Sequence, residues 1–149
     1  MSPSKINWYL LFKLPAAWFT GVRVSSIDHN RCITRVRFRW INQNPFRSMF
    51  WAVQGMAAEL STGALLMTAI KEQPQPVSML LLESHGSFVK KARGRILFKC
   101  EAGDDIRAAL DRALETGEGQ LCRIQSTGLD SNKEVVSEFE FVWTIKSKS

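Results

Sequence analysis

The sequence predicts an α+β fold in which a curled antiparallel sheet packs around one long helix, with an extra helix at the N-terminus. Two observations carry this prediction. Three segments place apolar residues at every second position, which is the pattern of strands with one buried and one wetter face. Residues 49–70 are almost entirely apolar and carry a single charge, Glu59. A single sheet can bury its apolar face by curling around such a helix.

The predicted elements follow one another as helix, two strands, long helix, two strands, short helix and two strands. Alternation is strong over residues 31–40, 92–102 and 135–145, and weaker over 22–27, 77–89 and 120–126. The pattern predicts helices over residues 6–12, 48–70 and 104–116, and a tight turn at residues 28–30. This order contains no repeat and no interdomain linker. It predicts a helical extension over residues 1–19 and a single domain over 20–149.

The N-terminal segment allows more than one interpretation. Lys13 and Pro15 interrupt its apolar run and no small-residue cleavage site follows, so a signal peptide is not predicted. A helix that packs on the domain is favoured. The alternative is an interfacial helix that lays Trp8, Leu11 and Phe12 into a membrane surface.

Composition limits the partners and the compartment. The formal charge of +6 suits an anionic partner but does not choose among nucleic acid, an anionic membrane surface and a phosphate-bearing small molecule. Three cysteines (Cys32, Cys100 and Cys122) fall in predicted strands without a CxxC pair, which predicts reduced core thiols and a cytoplasmic protein. Two histidines are too few for a zinc site of usual spacing, so no metal is expected.

Three short segments carry a resemblance to a known family. Residues 44–52 (NPFRSMFWA) with 57–59 (AAE) resemble the loop and helix start of hotdog-fold thioesterases related to the phenylacetyl-CoA thioesterase group. Residues 88–94 (FVKKARG) resemble a later strand junction of that family, and the first two segments look closer still to an uncharacterised bacterial branch. The resemblance spans about residues 20–146 and implies a hotdog fold.

The resemblance also implies an activity and its residues. Glu59 stands at the position of the family's catalytic acid and would activate water or attack an acyl-CoA thioester directly. Asn44 and Ser48 would orient water or the thioester. The backbone amides near Trp51 and Ala52 would hold the oxyanion, although Phe50-Trp51-Ala52 replaces the family's His-Gly-Gly. The bulky Trp51 would either partly block the substrate tunnel or shape it for a small acyl group.

The substrate and the partners follow from the same resemblance. A basic cluster (Lys90, Lys91, Arg93 and Arg95) would hold the phosphates of coenzyme A, which enters as substrate and not as a cofactor. Hotdog proteins pair their sheets edge to edge, so a homodimer or a dimer of dimers is expected. Neither nucleic acid nor a membrane is expected as a partner.

Simpler interpretations of the same residues stay open. Glu59 could be a structural carboxylate at a subunit interface, and Asn44 could serve only turn chemistry with Ser48 as a helix N-cap. The basic cluster could be a solvated strand edge. The alternative function is a non-catalytic acyl-CoA or fatty-acyl binding protein, which the loss of His-Gly-Gly favours.

Overall fold

Six antiparallel strands form one sheet in the computed structural model, which describes residues 1–148. The strands are β1 (Arg23–Ile27), β2 (Cys32–Arg37), β3 (Val77–Phe88), β4 (Arg95–Cys100), β5 (Gln120–Leu129) and β6 (Val135–Ser147). Their spatial order is β1-β2-β4-β5-β6-β3. Strand β3, which follows the long helix in sequence, therefore lies at the far edge of the sheet beside β6, and β1 forms the opposite edge.

The four helices are α1 (Pro3–Lys13), α2 (Pro15–Phe19), α3 (Trp51–Lys71) and α4 (Gly103–Thr116). Helix α3 lies in the concave face of the sheet and buries Ala57, Leu65 and Leu66 there. Small side chains let the strands approach the helix closely: the Thr34 hydroxyl donates to the Ala57 carbonyl oxygen at 2.6 Å, and the Ser61 and Ser126 hydroxyls lie 2.7 Å apart. These buried contacts fix the rotation of α3 and so fix which residues face β3.

Helix α1 packs into the same core as the sheet. Ile6 and Leu10 are fully buried against it. The Asn7 side chain reaches the outer edge of β1, where its Nδ2 donates to the Val24 carbonyl oxygen at 3.1 Å and its Oδ1 accepts from the Val24 N–H at 2.8 Å. A side-chain amide thus takes the place of a neighbouring strand at this edge.

The predicted α+β fold is confirmed, but three local predictions are wrong. The strand predicted to reach Trp40 ends at Arg37, because Trp40–Asn42 form a short 3₁₀-helix that leaves Trp40 82% exposed. The strand predicted over residues 92–102 spans only Arg95–Cys100, because Gly94 has a φ of 70°, outside the extended region. The long helix begins at Trp51 with Phe50 at its N-cap, so Ser48 is not the cap.

Two further findings bear on the sequence predictions. The tight turn predicted at residues 28–30 is confirmed: Asp28 Oδ1 accepts from the N–H groups of Asn30 and Arg31, at 2.8 and 2.9 Å. No helix within residues 1–148 is both long and apolar enough to cross a membrane.

Candidate active site

Glu59 lies on the side of α3 that the sheet leaves half-exposed. Gly55 precedes it by one helical turn and Gly63 follows it by one turn, so all three residues share one face of the helix. Because neither glycine has a side chain, the carboxylate stands in a shallow groove along α3. This groove faces β3 and β6.

The Glu59 carboxylate has no hydrogen-bond or ion-pair partner within residues 1–148. Burial removes water that would solvate its charged form, and this raises the pKa of Glu59 above its usual range. A carboxylate that is desolvated and left without a partner is costly to stability. Such groups are concentrated at functional sites, where they act as acids, bases or nucleophiles.

A cavity of about 570 Å³ opens beside this carboxylate, and we call it the Glu59 cavity. Its α3 wall includes Trp51 and Ala52 as well as Glu59. Its β6 wall is aromatic: the Phe139 and Phe141 rings stack with centroids 5.9 Å apart. The surroundings of the carboxylate are therefore largely apolar.

An irregularity in β3 turns additional residues toward the Glu59 cavity. Pairing with β6 shifts register between Leu81 and Glu83, so the side chains that face α3 change from odd to even positions. Ser84, Gly86 and Phe88 therefore line the same cavity as Leu81. Position 86 requires glycine because the Phe139 ring lies close to the backbone there: a Cβ at this position would be only 2.9 Å from Phe139 Cε1.

The loop before α3 is organised by Asn44. The Asn44 Oδ1 accepts from the N–H groups of Phe46 and Ser48 at 2.9 and 3.2 Å, while its Nδ2 donates to Ser48 Oγ at 3.0 Å. The Asn44 side chain is thus engaged within its own turn, and Ser48 is buried beside it. This arrangement fits the turn chemistry that sequence analysis left open for Asn44, whereas Ser48 takes part in that turn and does not cap the helix.

A second cavity of about 400 Å³, the loop cavity, lies between this loop and the segment that follows β3. Asn44, Ser48, Lys90 and Lys91 line it. Trp51 borders both the loop cavity and the Glu59 cavity, so it stands at the boundary between them. The structure places Asn44 and Ser48 in one cavity and Glu59 in the other.

The N-terminus of α3 offers free backbone donors near this boundary. The Phe50 carbonyl oxygen accepts from the N–H groups of Val53 and Gln54. The preceding two N–H groups, of Trp51 and Ala52, have no acceptor among residues 1–148, and no side chain caps the helix. Together with the helix dipole they could stabilise a negatively charged oxygen.

The four basic residues do not act as one cluster. Lys90 is engaged by Asp130, at 2.7 Å, and by Glu134. Lys91 reaches only the Phe46 carbonyl oxygen, at 3.4 Å, and Arg93 donates to the Arg47 carbonyl oxygen at 2.9 Å.

Arg95 lies apart from both cavities. It is exposed on β4, where it is paired with Arg37 of β2. Lys91 is therefore the cation at the loop cavity that carries no carboxylate partner within the described chain.

Sequence analysis missed three polar residues that line the two cavities. Ser84 and His85 line the Glu59 cavity, and the register shift in β3 that turns Ser84 toward this cavity leaves no clear sequence signal. Gln54 is 4% exposed and lines the loop cavity; its Nε2 donates to the Met49 carbonyl oxygen at 3.4 Å, but its Oε1 has no partner in residues 1–148. A glutamine in an apolar helix was the available signal.

Comparison with known proteins places this geometry in a family. The model of the family described as "Domain of unknown function (DUF4442)" matches residues 4–145. The chain belongs to this family. The matched residues include nearly all of α1 as well as the sheet. No functionally curated protein matches the chain.

Solved structures show the same fold along the whole chain. A protein of unknown function from Pseudomonas aeruginosa, named a probable thioesterase, is 22% identical with a TM-score of 0.83, covering 98% of this chain and 97% of its own. A protein of unknown function from Chlorobaculum tepidum is 15% identical with a TM-score of 0.82, covering 99% and 98%.

A thioesterase from Haemophilus influenzae is 9% identical with a TM-score of 0.76, covering 99% of this chain and 92% of its own. At these identities the likeness shows the fold alone. The hotdog fold predicted from the sequence is confirmed, and the match to a family of unknown function agrees with the predicted likeness to an uncharacterised branch.

Proposed function

We propose that this protein hydrolyses an acyl thioester of coenzyme A or of an acyl carrier, with Glu59 as the catalytic carboxylate. The observation that carries the proposal is the partly buried Glu59 carboxylate, which has no partner within residues 1–148 and stands at the wall of the Glu59 cavity. In its charged form Glu59 takes a proton from water while the water oxygen attacks the thioester carbonyl carbon. When the carbon–sulfur bond breaks, Glu59 returns the proton to the departing thiolate.

The oxyanion of the tetrahedral intermediate would be held at the N-terminus of α3. The free N–H groups of Trp51 and Ala52 support this role, since a backbone donor survives any change of side chain. The Lys91 ammonium would meet the phosphates of coenzyme A at the loop cavity, with Arg93 nearby. Lys90 and Arg95 are weaker candidates, because Lys90 is held by carboxylates and Arg95 is distant.

A homodimer formed through β3 is part of the proposal. Strand β3 has no partner along its outer edge within residues 1–148, and the same strand lines the Glu59 cavity. Pairing two copies there would bring the second copy beside that cavity.

The cytoplasmic location remains a prediction. It agrees with three buried cysteines that form no disulfide, Cys32, Cys100 and Cys122.

The alternative is a protein that binds acyl thioesters without hydrolysing them. It is favoured by Trp51, a large and exposed side chain where the resembled family has a glycine. Both functions require the cavities, but only hydrolysis requires the Glu59 carboxylate.

Release of free thiol from a panel of acyl-CoA substrates, from acetyl to hexadecanoyl and including aryl groups, separates the two functions. We expect the wild type to turn over at least one substrate and Glu59→Gln to lose about 100-fold or more. Glu115→Gln, an exposed change on α4, is the matched control. Equal rates in Glu59→Gln and wild type would overturn the catalytic role, and binding without turnover would establish the alternative.

A further inference from the structure

A third cavity lies on the other side of Glu59, between α3 and α1. We call this space of about 140 Å³ the α1 cavity. Residues of α1, the α1–α2 junction, α3, β3 and β6 form its walls. These walls are apolar apart from the phenol of Tyr9 and the carboxylate of Glu59. Their apolar residues include Leu10, Leu14, Met67, Met79 and Trp143. Glu59 borders both the α1 cavity and the Glu59 cavity, so its carboxylate stands where the two spaces meet.

Gly63 leaves a gap between the Glu59 carboxylate and the Trp143 ring. A Cβ placed on Gly63 would lie 3.3 Å from Trp143 Cζ2 and 3.7 Å from Glu59 Oε1. The Trp143 ring is fixed in turn, because its Nε1 donates to Thr62 Oγ1 at 3.0 Å. A larger residue at 63 would fill the space between the carboxylate and the tryptophan.

The two sides of Glu59 differ in polarity. Toward the N-terminus of α3 lie free backbone N–H groups and, beyond Trp51, the lysine side chains of the loop cavity. Toward the C-terminus lies the α1 cavity, whose wall is apolar apart from the Tyr9 phenol. A ligand with an anionic carrier at one end and a hydrocarbon at the other matches this arrangement in one direction only.

We propose that the α1 cavity receives the end of a straight aliphatic acyl chain and that α1 sets the longest chain accepted. This inference rests on the proposed function, since it takes the reacting thioester to lie at Glu59. Ile6 and Leu10 anchor α1 in the core and Asn7 bonds it to β1, so the helix forms a fixed wall.

The length of the helix face gives the length of the chain. From Glu59 to Met67 is eight residues of α3, or about 12 Å at 1.5 Å of rise per residue. Extended polypeptide advances about 3.5 Å over three backbone bonds, so an extended hydrocarbon advances about 1.2 Å per bond. A chain of about ten carbons therefore reaches from the carboxylate to the far end of the α1 cavity.

Binding of non-hydrolysable acyl-CoA thioethers, from ethyl to hexadecyl, tests this inference by calorimetry. Each methylene that enters the apolar space should strengthen binding about fourfold. We expect affinity to rise with chain length until the α1 cavity is full, and then to level off. An affinity that does not depend on chain length in the wild type would overturn the inference.

Two variants should move the levelling point in opposite directions. Met67→Trp fills the cavity and should shift it to shorter chains, whereas Leu14→Ala opens the wall beside α1 and should shift it to longer ones. Leu121→Ala, an exposed leucine on β5 far from α1, is the matched control. A levelling point that both variants leave in place would also overturn the inference, and Leu14→Ala keeps this test available if Met67→Trp does not fold.

The experiment separates this inference from the proposed function. A length-dependent affinity without thiol release would support the acyl compartment and overturn hydrolysis. Thiol release with a length-independent affinity would support hydrolysis and overturn the role of α1.

Discussion

The two edge strands of the sheet, β1 and β3, differ in what covers their outer side. At the β1 edge, the Asn7 amide bonds the Val24 N–H and carbonyl groups, and α1 covers the strand. At the β3 edge, twelve residues run without a partner on the outer side, and Leu80 and Leu82 are 64% and 52% exposed. Proteins protect edge strands that must not pair, with charges, proline or a covering element.

The difference indicates which edge is kept for association. Strand β3 contains neither proline nor lysine, and its charged or titratable residues are Glu83 and His85. A long, apolar and uncovered edge is either an aggregation hazard or a place for a second copy. Since β3 also lines the Glu59 cavity, the proposed association at this edge would place the second copy beside the proposed site.

The largest expected effect comes from placing like charges on the open edge. Leu80→Asp combined with Leu82→Asp adds charges near the middle of β3, where a two-fold axis would bring copies of the same residues together. Like-charge contact across an interface costs several kcal/mol, so the proposed β3–β3 dimer should dissociate at least 100-fold more readily. Light scattering coupled to gel filtration measures the mass.

Leu121→Asp, on β5, is the matched control for that pair, because this leucine is exposed but is not at an edge. It should leave the mass unchanged. A double variant that keeps the wild-type dimer mass at every concentration would refute association through β3.

The next largest effect is expected on stability, from a change at the β1 edge that Asn7 and α1 cover. Asn7→Ala removes both bonds to Val24, which is buried, and leaves its N–H and carbonyl groups without partners. We expect a loss of about 2–3 kcal/mol in the free energy of unfolding, measured in urea at one protein concentration. Asn132→Ala in the exposed β5–β6 turn is the control and should change the unfolding free energy by less than about 0.5 kcal/mol. If Asn7→Ala changed it as little, the Asn7 side chain would not protect β1.

Glu59, beside the open edge, gives a pH-dependent effect. Burial raises its pKa in the folded protein, so the folded state holds the proton more tightly than the unfolded chain. Stability therefore falls as pH rises from the unfolded pKa through the raised folded pKa, by about 1.4 kcal/mol per unit of difference. Glu59→Gln should remove this fall and be more stable than wild type at pH 7.

Urea unfolding of wild type and Glu59→Gln across acidic to neutral pH measures that difference. The two proteins should converge at low pH, where Glu59 is protonated in both states. Glu59→Gln that is less stable than wild type at neutral pH would indicate that the charged carboxylate has a stabilising partner.

The smallest effect lies just beyond β3. Lys91→Ala should weaken binding of coenzyme A by up to about fivefold, as expected for one exposed charge contact. Lys90→Ala should weaken it less, because Lys90 is already held by Asp130 and Glu134. Calorimetry at low and moderate salt measures both, and a larger loss for Lys90→Ala would reverse our assignment of the phosphate contact.

The sequence predicted the elements well because their apolar periodicity is strong. The alternation along β6 and the long, largely apolar run of α3 are properties of the chain itself, and they located both elements to within a few residues. Where local bonds override the pattern, prediction failed. Asn42 bonds the carbonyl oxygens of Thr20 and Arg37 and so fixes the 3₁₀-helix where a strand was expected.

The candidate site was predictable only in part. Glu59 stood out because a single charge in an apolar helix is a strong signal. Ser84 lines the Glu59 cavity because of a register shift in β3, and the α1 cavity is formed by the way α1 lies against α3. Such tertiary relations connect residues far apart in the chain, and no local pattern encodes them.

The central claim is that pairing at the open β3 edge completes a catalytic unit around Glu59. Thiol release per subunit by the Leu80→Asp, Leu82→Asp variant, measured with a substrate that the wild type hydrolyses, tests it most directly. We predict loss of activity at concentrations where the variant is monomeric, and recovery where dimers re-form. A folded monomer with the full wild-type rate would contradict the claim.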